Sequence, residues 1–147
     1  MKILELPLFL FKEFYWNTLT KAHKEIYPLE PESKKEFLQY FDDSFVTFIV
    51  KGAEVIGFVV WMDCVEPRTN ETFATSLWLW VDKDYRNTLA AGKLIKEVEA
   101  NAKEEGAKYF KWDINKDSDL IRAFDKRKEY KKESIVYSKK LDVESLN

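Results

Sequence analysis

Residues 78–107 read WLWVDKDYRNTLAAGKLIKEVEANAKEEGA, and the hydrophobic period changes partway along. Residues 78–81 are a continuous apolar run, suited to a strand covered on both faces. From there Ala91, Leu94, Ile95, Val98 and Ala102 recur at helical spacing, and Gly106 follows as a C′ residue free to turn left-handed. A strand that turns directly into a helix constrains the fold more than any other feature of the chain. It aims the first N–H groups of the helix into the groove beside a sheet, where they and the helix dipole attract anions. The turn RNTLAAG therefore suits a phosphate. Ala90, Ala91 and Gly92 are slim enough for a phosphate to reach the backbone, Thr88 adds a hydroxyl and Arg86 a cation. Many such turns bind nothing, so local chemistry alone leaves the question open.

The remaining segments extend this unit into a sheet protein. MKILEL alternates as a first strand, and residues 8–26 carry apolar side chains at helical spacing until Pro28. PESKKEFLQYF reads as a second helix with a Ser33–Glu36 capping box. FVTFIV and VIGFVVWMDC form a hairpin around Lys51-Gly52-Ala53-Glu54, and ETFATSLWLWV is the next strand. After the central helix come a strand in KYFKWDIN, a short helix in DSDLIRAFDKR and a last strand in ESIVYSKKL. The order is β-α-α-β-β-β-α-β-α-β, an α/β mixture around one sheet. It implies a single domain over residues 1–147, with residues 142–147 as a frayed tail.

Composition excludes several classes of function. With 147 residues, 46% of them apolar, the chain can bury a substantial core. A net charge of −2, with both signs interleaved, lacks the basic footprint of a nucleic-acid binder. The lysine-heavy region 122–140 also holds Asp125, Glu129 and Glu133 and reads as a solvated face. Cys64 is the only cysteine and His23 the only histidine, so no disulfide, thiolate cluster or histidine metal site is expected. The apolar start MKILELPLFLFKEFYW is broken by Glu5 and Pro7, unlike a signal peptide, and no run reaches the ~20 residues of a membrane span. A cytoplasmic protein is expected. The tryptophans read as packing residues, although Trp78 and Trp80 share a face and could stack on a substrate.

Nearly the whole chain resembles the GCN5-related N-acetyltransferase (GNAT) superfamily. VDKDYRNTLAAGKLIKEVEANAKEEGAKYF is similar to its acetyl-CoA motif, a strand, then Arg-x-x-Gly-x-Gly/Ala, then a helix ending in Gly-Ala. Arg86 takes the arginine position and Ala91 the last small one. AFDKRKEYKKESIVYSKKL is similar to the family's C-terminal helix, turn and final strands, and FIVKGAEVIGFVV to its second and third strands. The resemblance implies a GNAT-like fold, a single mixed, mostly antiparallel sheet flanked by helices. It also implies that the fourth and fifth strands splay apart around acetyl-CoA, the co-substrate. Val81 would then offer backbone groups to the pantetheine arm, and the N–H groups of Asn87, Thr88, Leu89, Ala90, Ala91 and Gly92 would hold the pyrophosphate beside Arg86. Asn115 and Ser118 would flank the arm or the adenine end. The acceptor, a small amine or a protein amino group, would enter beside the first two helices and the EPRTNET loop.

The chain departs from that pattern in three places. Leu89 stands where the family has glycine, Phe124 stands where it has a tyrosine general acid, and SLWLWV carries no carboxylate base. Tyr130 could serve as the acid or be a packed aromatic. Asp63, Glu66 and Glu71 could serve as base or be solvated loop charges. Two functions follow. One is acyl-CoA-dependent N-acyl transfer, with an amine attacking the thioester directly. The other is a catalytically silent scaffold, such as a phage virion component, docking through FLFKEFYW within a homo-oligomer or virion assembly.

Overall fold

The structure is a computed structural model that describes residues 1–26, 43–86 and 88–142. The chain divides into two compact units, Met1–Asp113 and Ile114–Asn147. The expected helix PESKKEFLQYF lies outside the described residues, as do residues 143–147 of the expected tail.

In the first unit, five strands lie in chain order across one sheet: β1 Lys2–Pro7, β2 Phe45–Lys51, β3 Glu54–Val65, β4 Thr72–Val81 and β5 Tyr109–Lys111. The first four are antiparallel, and β5 joins β4 in parallel. A parallel pair needs a long crossover, which the helix α3, Leu89–Glu104, supplies. Two further helices, α1 Leu8–Phe14 and α2 Trp16–Ile26, are among the described residues of this unit.

Strand alternation sorts the apolar side chains into two cores. Val46, Phe48, Phe58, Val60 and Trp80 face Leu8, Phe11, Leu19 and Ala22 of α1 and α2. Ile49, Ile56, Val59, Trp61 and Ala74 face Ala90, Leu94, Val98 and Ala102 of α3. The inward stripe of α3 thus starts at Ala90 rather than at Ala91, the position that the spacing suggests. Helices therefore cover both faces, and the sheet is buried where its sequence is continuously apolar.

The single helix expected over residues 8–26 is broken. Tyr15 leaves helical geometry at φ −130° and ψ 33°, while its N–H bonds to the Phe11 carbonyl at 2.8 Å. Its ring packs on Phe11 and Phe48, with centroids 5.1 and 5.2 Å away. Filling the core between α1 and the sheet outweighs continuing the helix. At the end of α3, Gly106 takes φ +96°, which lets Gly106 N–H reach Lys103 O and Ala107 N–H reach Ala102 O, both at 3.0 Å. These two bonds make a Schellman cap, as the glycine's position suggests.

In the second unit, α4, Leu120–Asp125, follows a turn in which Ser118 N–H bonds to Asn115 O at 2.9 Å. The Phe124 and Tyr130 rings meet edge to face at 4.6 Å. The last strand expected in ESIVYSKKL does not form: residues 131–140 are all exposed and have no regular secondary structure. The segment has strand-type alternation, but a strand exists only through a ladder partner, and composition cannot supply one.

Candidate active site

Around the turn between β4 and α3, side chains hold the backbone in place. Asp82 follows β4, is 3% exposed, and accepts hydrogen bonds from Asp84 N–H at 3.0 Å and Lys21 Nζ at 2.6 Å. The Lys21 hydrogen bond, above all, holds the Asp82 carboxyl below the usual carboxylate range, and Asp82 in turn raises Lys21. Arg86 donates from Nε to the Val81 carbonyl at 2.8 Å and from Nη2 to Glu25 Oε2 at 2.7 Å. The same Glu25 oxygen accepts from Trp80 Nε1 at 3.0 Å. Lys21 and Glu25 of α2 thereby fasten both the end of β4 and the turn. The Arg86 guanidinium, the cation that the sequence offers to a phosphate, is bound to a carbonyl and a carboxylate.

Thr88 is the N-cap of α3. Its hydroxyl donates to Tyr85 O at 2.6 Å and accepts from Ala90 N–H at 3.2 Å. The Ala90 N–H is therefore satisfied within the turn, whereas those of Leu89 and Ala91 belong to the first helical turn, which has no intrahelical acceptor. The Leu89 side chain is 78% exposed. Together with Met1, Lys51, Tyr85 and Lys93 it lines an open pocket of about 480 Å³. Thr88 and Ala90, at the start of the helix, line the same pocket. A Cβ added at Gly92 would meet nothing within 4 Å, so internal packing does not demand glycine there.

β4 and β5 pair only through Phe73–Tyr109, Ala74–Phe110 and Thr75–Lys111. Side chains then replace the ladder: Thr75 Oγ1 donates to Lys111 O at 3.1 Å, and Ser76 Oγ accepts from Asp113 N–H at 2.9 Å. Among the described residues no strand pairs with this side of β4 from Leu77 to Val81. A bulge sits at the same point. Val60 faces Trp78 while Trp61 faces Ser76, so Leu77 is an extra residue. Leu77 and Trp78, though consecutive, both pack against the α1/α2 core. The bulge explains why the end of β4 reads as continuously apolar.

Three further candidates, Asp63, Glu66 and Glu71, lie on β3 and in the β3–β4 loop. Glu66 and Glu71 flank the β3–β4 loop, a ten-residue strand away from the turn, or roughly 30 Å at ~3.3 Å per residue. Arg68 donates to Glu66 at 2.8 Å and pulls its carboxyl below the usual range, which makes it a poorer base. Glu71 Oε1 lies 4.0 Å from Lys108 Nζ. Asp63 has a buried Oδ1 without a hydrogen-bond partner, and burial, followed by Glu105, raises its pKa. In the second unit, Asn115 Oδ1 accepts from Asp117 N–H at 3.0 Å and Ser118 Oγ from Leu120 N–H at 3.2 Å, so both serve local turns. Tyr130 packs against Phe124 in that unit. Asn87 lies outside the described residues.

A strand whose neighbour departs partway along it, and which runs into a helix N-terminus, is the arrangement that the acetyl-CoA motif resemblance implies. The family model described as "Acetyltransferase (GNAT) family" matches residues 11–127. The chain belongs to this family. Its GNAT fold agrees with solved structures. An aminoglycoside acetyltransferase from an uncultured soil metagenomic sample, in complex with sisomicin, superposes with a TM-score of 0.74 at 15% identity over 96% of each chain. A GNAT family acetyltransferase from Staphylococcus aureus gives 0.70 at 17% identity, covering 96% of this chain and 100% of that one. A ribosomal-protein-alanine N-acetyltransferase from Brucella melitensis gives 0.68 at 14%, over 93% and 100%. No curated protein matches the sequence. No helix among the described residues of this GNAT chain is long and apolar enough to cross a membrane.

Sequence reasoning missed Lys21, Glu25 and Ser76. Lys21 and Glu25 are four residues apart on α2 and so share a face, a signal that was present. Their partners on β4 and in the turn lie 55 to 61 residues away, which no local pattern reveals.

Proposed function

We propose that this GNAT chain is an acyl-CoA-dependent N-acyltransferase that moves an acetyl group from acetyl-CoA to an amine by direct attack. The observation that carries the reading is the open edge of β4 beyond Ser76, beside the N-terminus of α3. The residues of the turn fit such a ligand. Ala91 and Gly92 keep the approach to the backbone slim, and the space at Gly92 is one that a side chain would otherwise fill. In this reading Val81, Thr88, Leu89, Ala90, Ala91 and Gly92 form the cofactor-binding turn. Arg86 is a positioning residue that fixes the turn through Val81 O and Glu25.

When bound, acetyl-CoA supplies an acyl group already activated as a thioester. The protein's contribution is placement. The N–H groups of Leu89 and Ala91, together with the helix dipole, attract the diphosphate. The bulge at Leu77 leaves backbone groups off the ladder next to the open edge, where an N–H can stabilise developing negative charge on a carbonyl oxygen. Near this turn, Glu25 and Asp82 are both ion-paired, so neither is a ready base. The amine then sheds its proton to water as the C–N bond forms and the C–S bond breaks, the departing thiolate takes up a proton from water, and general-base help, typically ~10²–10⁴-fold, is forgone. The acceptor is a small amine or a protein amino group, the two kinds named for the structural neighbours.

The test separates the site from the fold. Thr88 is the N-cap, so Ala91 is the N3 position, and Ala91→Glu completes a capping box that supports the helix. The same carboxylate repels a diphosphate. Calorimetric titration of the native chain with acetyl-CoA is expected to give a dissociation constant on the order of 1–100 μM. Ala91→Glu is expected to keep or raise the melting temperature and to weaken binding by about tenfold or more. If the native chain stays silent at millimolar acetyl-CoA, the silent scaffold is the better reading.

A further inference from the structure

Ser76 is 4% exposed, yet its surroundings are apolar. It faces Trp61 across the β3–β4 ladder and lies two residues from Ala74, so its side chain points with theirs toward the α3 core. A hydroxyl in such a place is costly unless it is hydrogen-bonded, and an apolar residue would avoid the cost. Ser76 Oγ accepts from Asp113 N–H at 2.9 Å, a bond from β4 to the chain just past β5. Thr75 points to the opposite face and donates from Oγ1 to Lys111 O at 3.1 Å. Two consecutive hydroxyls therefore clasp β5 from both faces of β4, where the last ladder pair, Thr75–Lys111, is made.

The clasp also ends the ladder. A parallel ladder is built from backbone N–H and C=O groups, and the Asp113 N–H is given to a side chain instead. Beyond that point β4 continues from Leu77 to Val81 with no strand paired on this side among the described residues. The bulge at Leu77, on the β3 side, begins at the same step. Ser76 is thus the residue at which β4 changes from a paired strand to an open edge.

We infer that Ser76 is a positioning residue for the acyl end of the co-substrate, because its hydroxyl fixes the point where the edge opens. On the acyltransfer reading, on which this assignment rests, the diphosphate is held at the turn and the arm runs back along the open edge. The arm has about twelve bonds from diphosphate to sulfur, the length of about four residues of extended chain, or ~13 Å. Leu77 to Val81 spans the same four residue steps of β4. An arm that starts at the turn therefore brings its thioester beside Leu77, next to the clasp. Moving the fork by one residue would shift it by ~3.3 Å, and an error of about 1 Å at a reacting centre can cost about 10²-fold.

Two ligands separate the acyl end from the anchor. Acetyl-CoA carries the arm, whereas 3′-phospho-ADP, its nucleotide half, carries the diphosphate alone. In calorimetric titration Ser76→Ala is expected to weaken acetyl-CoA binding about tenfold and to leave that of 3′-phospho-ADP within about threefold of native. Ser76→Thr keeps the hydroxyl and is expected to restore acetyl-CoA binding to within about threefold. Amide hydrogen exchange reads the clasp without any ligand. Exchange at Asp113 is expected to be at least about tenfold faster in Ser76→Ala than in the native chain, and slow again in Ser76→Thr.

A general loss of structure would weaken both ligands together, and circular dichroism checks that each variant is folded. Equal weakening of the two ligands in folded Ser76→Ala overturns the assignment of Ser76. So does native-like acetyl-CoA binding in that variant, unchanged exchange at Asp113, or a folded Ser76→Thr chain that binds no better than Ser76→Ala. In each of these cases the native chain still binds acetyl-CoA and the acyltransfer reading stands. A native chain silent toward both ligands overturns that reading, and the role of Ser76 with it.

Discussion

Leu89 is the residue on which the cofactor reading turns, because it stands where a glycine would let the backbone approach a phosphate. Its side chain is 78% exposed and lines an open pocket with Lys51 and Tyr85. Lys51 itself sits over the Tyr85 ring, 5.2 Å from its centroid. In the proposed reading the diphosphate meets the backbone N–H groups of this turn and needs no contact with the leucine side chain. Leu89→Gly is expected to leave acetyl-CoA affinity unchanged within about threefold, while adding backbone freedom to the helix start and lowering stability by about 0.5–1 kcal/mol. Calorimetric titration and urea denaturation of the same variant read both quantities. A tenfold gain in affinity would show instead that the leucine crowds the ligand.

At the scale of elements, α2 acts as a strap across the end of β4, and its two ion pairs differ in burial. Asp82 is 3% exposed, whereas Glu25 and Arg86 keep 31% and 49% of their side chains in solvent. Removing the partner of a buried carboxylate strands a charge; removing one arm of a solvated pair does little. Lys21→Met is therefore expected to cost about 2 kcal/mol, below the fully buried case because Lys21 is itself half exposed. Glu25→Gln, which can still accept from Trp80, is expected to cost about 0.5 kcal/mol. Urea midpoints decide, and equal losses would contradict the burial argument. The strap also marks where sequence reading stops. Period and capping residues revealed β1 to β4, α3 and its Gly106 end, because each depends on its own few residues. Neither the break at Tyr15 nor the missing strand over residues 133–141 could be read in that way. Tyr15 departs to meet Phe48, more than thirty residues on, and a strand requires a partner that its own sequence does not name. At the site, the slim turn was legible, but the commitment of Arg86 to Glu25 was not.

For the molecule as a whole, ionisation sets two opposing pH trends across the first unit. Asp82 has its pKa lowered from 3.8, chiefly by the Lys21 hydrogen bond. The unfolded chain therefore takes up that proton first, so the stabilisation is complete above pH 3.8 and is lost as pH falls through the lowered value. Glu5 behaves in the opposite sense. Partial burial raises it from 4.5, against the hydrogen bonds of Thr47 and Asn101, and Glu105 and Glu97 add to the rise. Here the folded chain holds its proton longer, so stability is present below pH 4.5 and declines as pH rises through the raised value. Asp63 follows the same sign, raised from 3.8 by burial and then by Glu105. Both carboxylates face the C-terminal end of α3, where the helix dipole also disfavours negative charge. Replacing them with neutral isosteres removes that penalty without removing Glu5's role as acceptor for Thr47 and Asn101. A Glu5→Gln, Asp63→Asn variant is expected to be more stable than the native chain near about pH 7, with the difference closing as pH falls toward about 4. Urea midpoints measured across that range provide the check. A difference that stayed constant with pH would mean that the substitutions act through packing, and that the acidic groups at this end of α3 carry no strain of charge.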